Sequence, residues 1–226
     1  MRVDAIIFDF DGVLLESEYE INALVAKLLT DFGHPTTPEE ATRRYTGLSG
    51  QQFIDAIESR IGRPLPQQFH EEIREASIRA LREGISAVAG AIEFVRALPP
   101  ALPKAVASSS STKWVRTHLA HIDLADAFEP HIYSGREHVV HGKPAPDLYL
   151  HAAAKLNVDI ARTLVIEDSK VGATGALASG AHVIGLAAGR HCFDGHADML
   201  RQTGVDKIAH SFDEVAQLIG LDQVKR

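Results

Sequence analysis

The chain has 226 residues, 45 % of them apolar and 23 % charged, and a formal net charge of −7. That is the make-up of a globular protein, and its negative balance argues against the nucleic-acid backbone or an anionic membrane as the main partner. The single cysteine, Cys192, excludes an internal disulfide and any Cys-based zinc cluster. No stretch approaches the roughly 20 apolar residues that span a bilayer.

Met1-Arg2-Val3-Asp4 runs straight into the first apolar run, so no signal peptide is expected and a cytoplasmic location is. Ala5-Ile6-Ile7-Phe8 predicts a buried strand. It stops on Asp9 and Asp11, which a buried strand does not need for its own stability. On an extended chain i and i+2 point the same way, about 6.5–7 Å apart, and Gly12 then lets the chain curl away.

The period then changes. Ile21, Leu24, Val25, Leu28, Leu29 and Phe32 form one helical stripe. Thr37-Pro38-Glu39-Glu40 reads as a capping box with proline at the first helical position. A third helix carries Phe53, Ile54, Ile57 and Ile61. A fourth, over 66–83, has Phe69, Ile73, Ala76, Ala80 and Leu81 on its inner face. No strand signal occurs in 17–86.

From Gly90 strands and helices alternate. A helix around Ile92, Val95 and Leu98 ends at Pro99-Pro100. Strands are predicted at Lys104–Ser108, 130–134, Thr163–Glu167 and His182–Leu186. Helices are predicted at 112–120, 146–156 and 170–179, with a last one capped by Ser211. Alternation of this kind predicts an α/β fold with a doubly wound, Rossmann-like parallel sheet. The helical stretch interrupts it after the first strand. The expected division is a catalytic core of 1–16 and 87–226 and an all-helical cap of 17–86. About 70 helical residues bury their apolar face poorly alone, so the cap is expected to pack over the site and control access.

Chemistry-bearing residues gather after the strands. Asp9 and Asp11 follow the first, Ser108, Ser109 and Ser110 the second, and Glu167 and Asp168 a later one; Lys143 lies in a glycine- and proline-rich loop. Ligands of open α/β sheets bind at these carboxyl ends. Four carboxylates in one pocket repel strongly, and one lysine cannot offset them. A hard divalent cation can, and Mg²⁺ is the candidate because it takes one or two carboxylates with water and substrate phosphate. Serine hydroxyls and backbone N–H groups suit phosphate oxygens. The set points to phosphoryl transfer to a carboxylate.

Four motifs carry a resemblance over essentially the whole chain: Asp9-Phe10-Asp11-Gly12-Val13, Ala107-Ser108-Ser109-Ser110, Gly142-Lys143-Pro144-Ala145-Pro146-Asp147 and Val165-Ile166-Glu167-Asp168-Ser169. In this order they resemble the haloacid dehalogenase superfamily, and within it the sugar-phosphate phosphatase and β-phosphoglucomutase-like branch. The resemblance implies Asp9 as nucleophile and Asp11 as general acid and then base, with a raised pKa. It implies Ser108, helped by backbone near Ser109, on the phosphoryl oxygens, and Lys143 neutralising both the phosphoryl group and Asp9. Mg²⁺ would be held by Asp9, the Asp11 carbonyl and Asp168, with Glu167 either a ligand or the support of one. The implied substrate is a small phosphorylated metabolite, a sugar or sugar-acid phosphate. The protein is expected to act as a monomer or weak homo-oligomer, without nucleic acid or membrane.

The alternative is a phosphomutase. Mutases of that branch carry a histidine after the first motif and basic residues around a cap glycine, where this chain has Ile21 and Thr46-Gly47-Leu48-Ser49-Gly50. Asp11 speaks against a dehalogenase. A phosphonate-cleaving enzyme would need a cap lysine, and Lys27, the only one in the insert, lies off the inner stripe. A non-catalytic binding module would normally have lost a motif. Glu18, Glu20, Thr46, Ser49 and Gln51 are candidate substrate contacts. Trp114 is read as packing, and His138 and His141 as exposed loop residues.

Overall fold

A computed structural model describes residues 3–48 and 50–221. In chain order the elements are β1 (Ala5–Phe8), α1 (Ser17–Asp31), α2 (Pro38–Tyr45), α3 (Gln51–Ile61), α4 (Gln67–Glu83), α5 (Ala91–Ala97), β2 (Lys104–Ser108), α6 (Thr112–His121), α7 (Ala125–Phe128), β3 (Ile132–Ser134), α8 (Asp147–Leu156), β4 (Thr163–Glu167), α9 (Lys170–Ala178), β5 (His182–Leu186), α10 (His196–Thr203), β6 (Lys207–Ala209) and α11 (Phe212–Ile219).

Among the described residues the strands form one six-stranded sheet in the order β3-β2-β1-β4-β5-β6, every pair parallel. Side chains alternate between its faces. Ile6, Phe8, Val106, Leu164, Ile166 and Ile184 pack against α5, α6, α7 and α11, through Phe94, Val115, Phe128 and Phe212. Ile7, Ala105, Ala107, Val165 and Val183 pack against α8, α9 and α10, through Leu148, Tyr149, Ala176 and Leu200. The expected doubly wound sheet is therefore present, with β1 between β2 and β4.

Helices α1–α4 leave and rejoin this sheet at one place. Leu15 bridges to Asp11 on one side and to Ala87 on the other, and the Glu16 N–H donates to the Ser86 carbonyl at 3.0 Å. The helices have a small core of their own, around Val25, Leu29, Tyr45, Ile57 and Phe69. The predicted apolar stripes divide between two surroundings. Val25, Leu28, Leu29, Ile57 and Phe69 are buried, whereas Ile21, Leu24, Phe53, Ile73, Ala76 and Ala80 line the cleft between these helices and the sheet.

Three elements have no counterpart in the sequence reading: α7, α10 and the edge strand β6. With three or four residues, β6 and α7 are too short to show a period, and α10 starts in a glycine- and histidine-rich segment. The third strand begins at Ile132 rather than at residue 130. Among the described residues, no helix is long and apolar enough to cross a membrane.

Candidate active site

The strand order decides what meets. The carboxyl ends of β2, β1 and β4 lie side by side, at the point where successive crossovers turn to opposite sides of the sheet and ligands characteristically bind. Asp9 continues β1, its N–H donating to the Ile166 carbonyl at 3.0 Å. Glu167 closes β4 and Asp168 follows it. The loop between β3 and α8 brings in Lys143. Asp9, Lys143 and Asp168 line the floor of a cleft of about 720 Å³ whose roof is α1, α3 and α4, with Glu167 buried beneath it.

Lys143 is the centre of the floor. Its Nζ donates to Asp9 Oδ1 at 2.5 Å and to Glu167 Oε1 at 2.6 Å, and all three groups are buried. Burial alone would lower the lysine pKa, but Asp9 and Glu167 outweigh it and hold the ammonium well above its usual range. Burial pushes the Asp9 carboxyl upward, Lys143 opposes this, and Glu167 and Asp168 add to it. Burial, and then Glu167, raises Asp168 as well. Half-buried Glu18, on α1 above them, is raised by burial and by Asp168, Asp11 and Asp9.

Glu167 and Asp168 are neighbours with opposite fates. Glu167 Oε1 accepts from Lys143 and from the Tyr149 hydroxyl at 2.7 Å; its Oε2 accepts from the N–H groups of Asp168 and Ser169 and from the Ser169 hydroxyl, each at 3.1 Å. The small residues of α9 permit this, since a Cβ on Gly172 would lie 1.7 Å from Glu167 Oε1. Both Asp168 side-chain oxygens are buried without a hydrogen-bond partner. His191 Nε2 stands 2.8 Å from Oδ2, outside hydrogen-bonding geometry. Gly12, at φ +86°, passes so close that a Cβ there would lie 2.1 Å from Asp168 Oδ2.

Asp9, Glu167 and Asp168 offer carboxylate oxygens within 4.8 Å of one another. Three buried acids against one lysine, with one carboxylate wholly unpartnered, fit a hard divalent cation. Since both Glu167 oxygens are already engaged, the unpartnered donors are those of Asp168.

Asp11 sits apart from Lys143, held by four donors. Its Oδ1 accepts from the Ser17 hydroxyl at 2.7 Å and from Trp114 Nε1 at 3.0 Å; its Oδ2 accepts from the hydroxyls of Ser110 at 2.7 Å and Ser108 at 3.3 Å. Ser108, fully buried, also accepts from the Ser110 N–H at 2.9 Å. Ser109 lines the cleft. The site residues read from the sequence thus meet in one cleft or directly beneath it.

Four neighbours were not foreseen as site residues: Ser17, Trp114, Tyr149 and the pair His191–His196, counted together. Trp114 is more than packing, because its indole donates to Asp11. Its place in the first turn after the serine run was the available signal. Nothing local marked Tyr149 or the histidines. Burial keeps both imidazoles neutral, His191 and His196 each titrating at about 4. Of the candidate substrate contacts, Glu18 and Glu20 line the cleft. Thr46 accepts from Asn22, Gln51 turns to Asp55 on the surface of α3, and Ser49 lies outside the described residues. His138 and His141 are exposed.

A model of the family described as haloacid dehalogenase-like hydrolase matches residues 6–186. Among characterised relatives, the chain is 30 % identical to hexitol phosphatase A of Escherichia coli, over 95 % of this chain and 94 % of that one. It is 26 % identical to 6-phosphogluconate phosphatase of the same organism, over 84 % and 85 %. Among solved structures, a conserved haloacid dehalogenase-like protein of Agrobacterium tumefaciens superposes with a TM-score of 0.87 at 31 % identity, covering 98 % of this chain and 99 % of that one. With the motifs on adjacent strand ends and the match spanning most of its length, the chain belongs to the haloacid dehalogenase-like hydrolase family.

Proposed function

We propose that this protein is a Mg²⁺-dependent phosphatase that hydrolyses a small phosphorylated carbohydrate through an aspartyl-phosphate. The observation that carries the reading is Lys143 bridging Asp9 and Glu167 at the bottom of a cleft that also contains Asp11 and the unpartnered Asp168. Two similar proteins are named for sugar-type phosphates, a hexitol phosphatase and a 6-phosphogluconate phosphatase. The cleft volume suits one small metabolite.

Lys143 holds Asp9 Oδ1, which leaves Oδ2 to attack phosphorus. The bond to the sugar oxygen breaks and Asp11 gives that oxygen its proton. Asp11 then takes a proton from water as the water attacks the phosphorus of the aspartyl-phosphate. Asp9 is regenerated and inorganic phosphate leaves. Ser108 and the backbone beside Ser109 orient the phosphoryl oxygens, and Lys143 spreads positive charge towards them. Asp9, Asp168 and the Asp11 carbonyl would hold Mg²⁺, which supplies the charge that keeps Asp9 ionised beside an anionic substrate. The helices of 17–86 act as a cap, excluding bulk water and choosing the sugar.

The test is phosphate release from a panel of hexose, hexitol, pentose and sugar-acid phosphates, with Mg²⁺ and with chelator. Mg²⁺-dependent release from one class is expected. Conversion of β-glucose 1-phosphate to glucose 6-phosphate, with no free phosphate, would instead make the protein a mutase.

A further inference from the structure

The loop after β5 and the first residue of α10 carry three side chains that hydrolysis does not use, namely His191, Cys192 and His196. Each offers a donor atom, and the three atoms lie within 4.8 Å of one another. The tautomer of His196 follows from its partner. Its Nε2 is 2.7 Å from the Asp168 backbone carbonyl, which can only accept, so Nε2 carries the proton and Nδ1 a lone pair. That Nδ1 is buried with no hydrogen-bond partner. An imidazole donating one N–H to a backbone carbonyl, with its other nitrogen bare, has the posture of a metal ligand.

His191 repeats part of this pattern. Its side chain is wholly buried and its Nδ1 has no partner. Its Nε2 lies 3.7 Å from Cys192 Sγ, close to the spacing of about 3.6 Å between sulfur and nitrogen on one tetrahedral zinc ion. Cys192 is half-buried, which gives an ion a way in. Supporting the Asp168 carbonyl accounts for Nε2 of His196, but not for Cys192 or for the two bare Nδ1 atoms in the interior.

We propose that His191, Cys192 and His196 bind one thiophilic divalent transition-metal ion of the Zn²⁺ class, against the expectation that a single cysteine excludes a Cys-based zinc site, since one thiolate suffices where two imidazoles stand beside it. The site is separate from the carboxylates of Asp9 and Glu167 and touches the catalytic floor only through Asp168. Two imidazoles and a thiolate suit zinc and its neighbours and reject Mg²⁺, which requires oxygen donors. The thiol proton leaves to solvent as the metal–sulfur bond forms. Three protein ligands leave the fourth tetrahedral position to water.

The probe is Co²⁺, titrated into the full chain after chelator treatment, with millimolar Mg²⁺ present to occupy the carboxylates. One equivalent should bind, with thiolate-to-cobalt charge transfer in the near ultraviolet and intense visible bands of four-coordination. Zn²⁺ should displace it and bleach both. Cys192→Ser should remove the charge-transfer band, and His196→Ala should weaken Co²⁺ binding on the order of tenfold or more. Circular dichroism and thermal melting establish that each variant is folded. Absence of these bands in the wild-type chain overturns the proposal, as does their survival in folded Cys192→Ser or unchanged affinity in folded His196→Ala. The first of these is read on the unaltered protein, so misfolding of a variant cannot conceal it.

Discussion

The floor of the cleft and its roof are built on different terms. On the floor Asp9, Asp11, Lys143 and Glu167 each reach a partner far away in sequence. Lys143 bridges strand ends 134 and 24 residues away, and Trp114 reaches Asp11 across 103. In the cap helices most ion pairs are local and exposed, as in Lys27–Asp31 and Arg43–Glu39, each one helical turn apart, with Arg60–Glu40 joining α3 to α2. The cleft-facing side of the roof sets Ile21, Leu24, Phe53 and Ile73 beside Glu18, Glu20 and Arg79. A floor of interlocked charges has one working geometry. A roof of apolar contacts and surface pairs can change shape or sequence at little cost in stability. On the proposed function, the chemistry would reside below and discrimination between sugars above.

The contrast is sharpest at Asp9. Asp9→Asn should lower turnover on the order of 10⁴-fold or more in a phosphate-release assay, as loss of a nucleophile does. Its thermal midpoint without metal should hold or rise, because burial raises the Asp9 carboxyl pKa and its charge therefore costs stability. Lys143→Met should do the reverse to stability. Two buried carboxylates would lose their common cation, at a cost of about 3–5 kcal/mol in chemical denaturation, with turnover down about 10³-fold. If Lys143→Met melted like the wild type, the interlocked floor would be the wrong description.

Metal and pH probe the same charges. Asp9 and Asp168 have carboxyl pKa values raised in the fold. The folded state then holds protons that the unfolded chain releases near pH 4, so these groups subtract stability as pH rises through their raised values. His191 and His196, depressed to about 4, oppose this below about pH 6.5 by favouring the unfolded chain in acid. Above that pH both are neutral in either state and no longer offset the carboxylates. Mg²⁺ at a hundredfold excess over its dissociation constant should add about 2.7 kcal/mol. The gain in thermal midpoint should be larger at pH 8 than at pH 5, because at pH 5 binding must first displace protons. Equal shifts at the two values would separate the ion from these carboxylates.

Smaller effects grade from floor to roof. Trp114→Phe keeps the ring but removes one of four donors to Asp11, and kcat/KM should fall about tenfold, the worth of one hydrogen bond to a charged group. Lys27→Met touches only an exposed pair on the outer side of α1 and should leave both melting and turnover as they are. A loss of activity there would give the roof lysine a role that its position does not suggest.

What could be read in advance followed from local rules. Apolar runs and helical stripes, with their caps, place Lys104–Ser108, Thr163–Glu167 and His182–Leu186 within the residues observed. Two aspartates ending an apolar strand have no local purpose, so they mark the site. Periodicity, however, reports that a face is apolar and not what it faces. Ile21 and Val25 belong to one stripe, yet one lines the cleft and the other is core. That Trp114 donates to Asp11 and that Glu167 meets Lys143 were decided only by tertiary structure, through the order β3-β2-β1-β4-β5-β6. The alternation of elements predicts that the strands are parallel and wound both ways. Which strand ends become neighbours depends on long-range pairing that no short window of sequence contains.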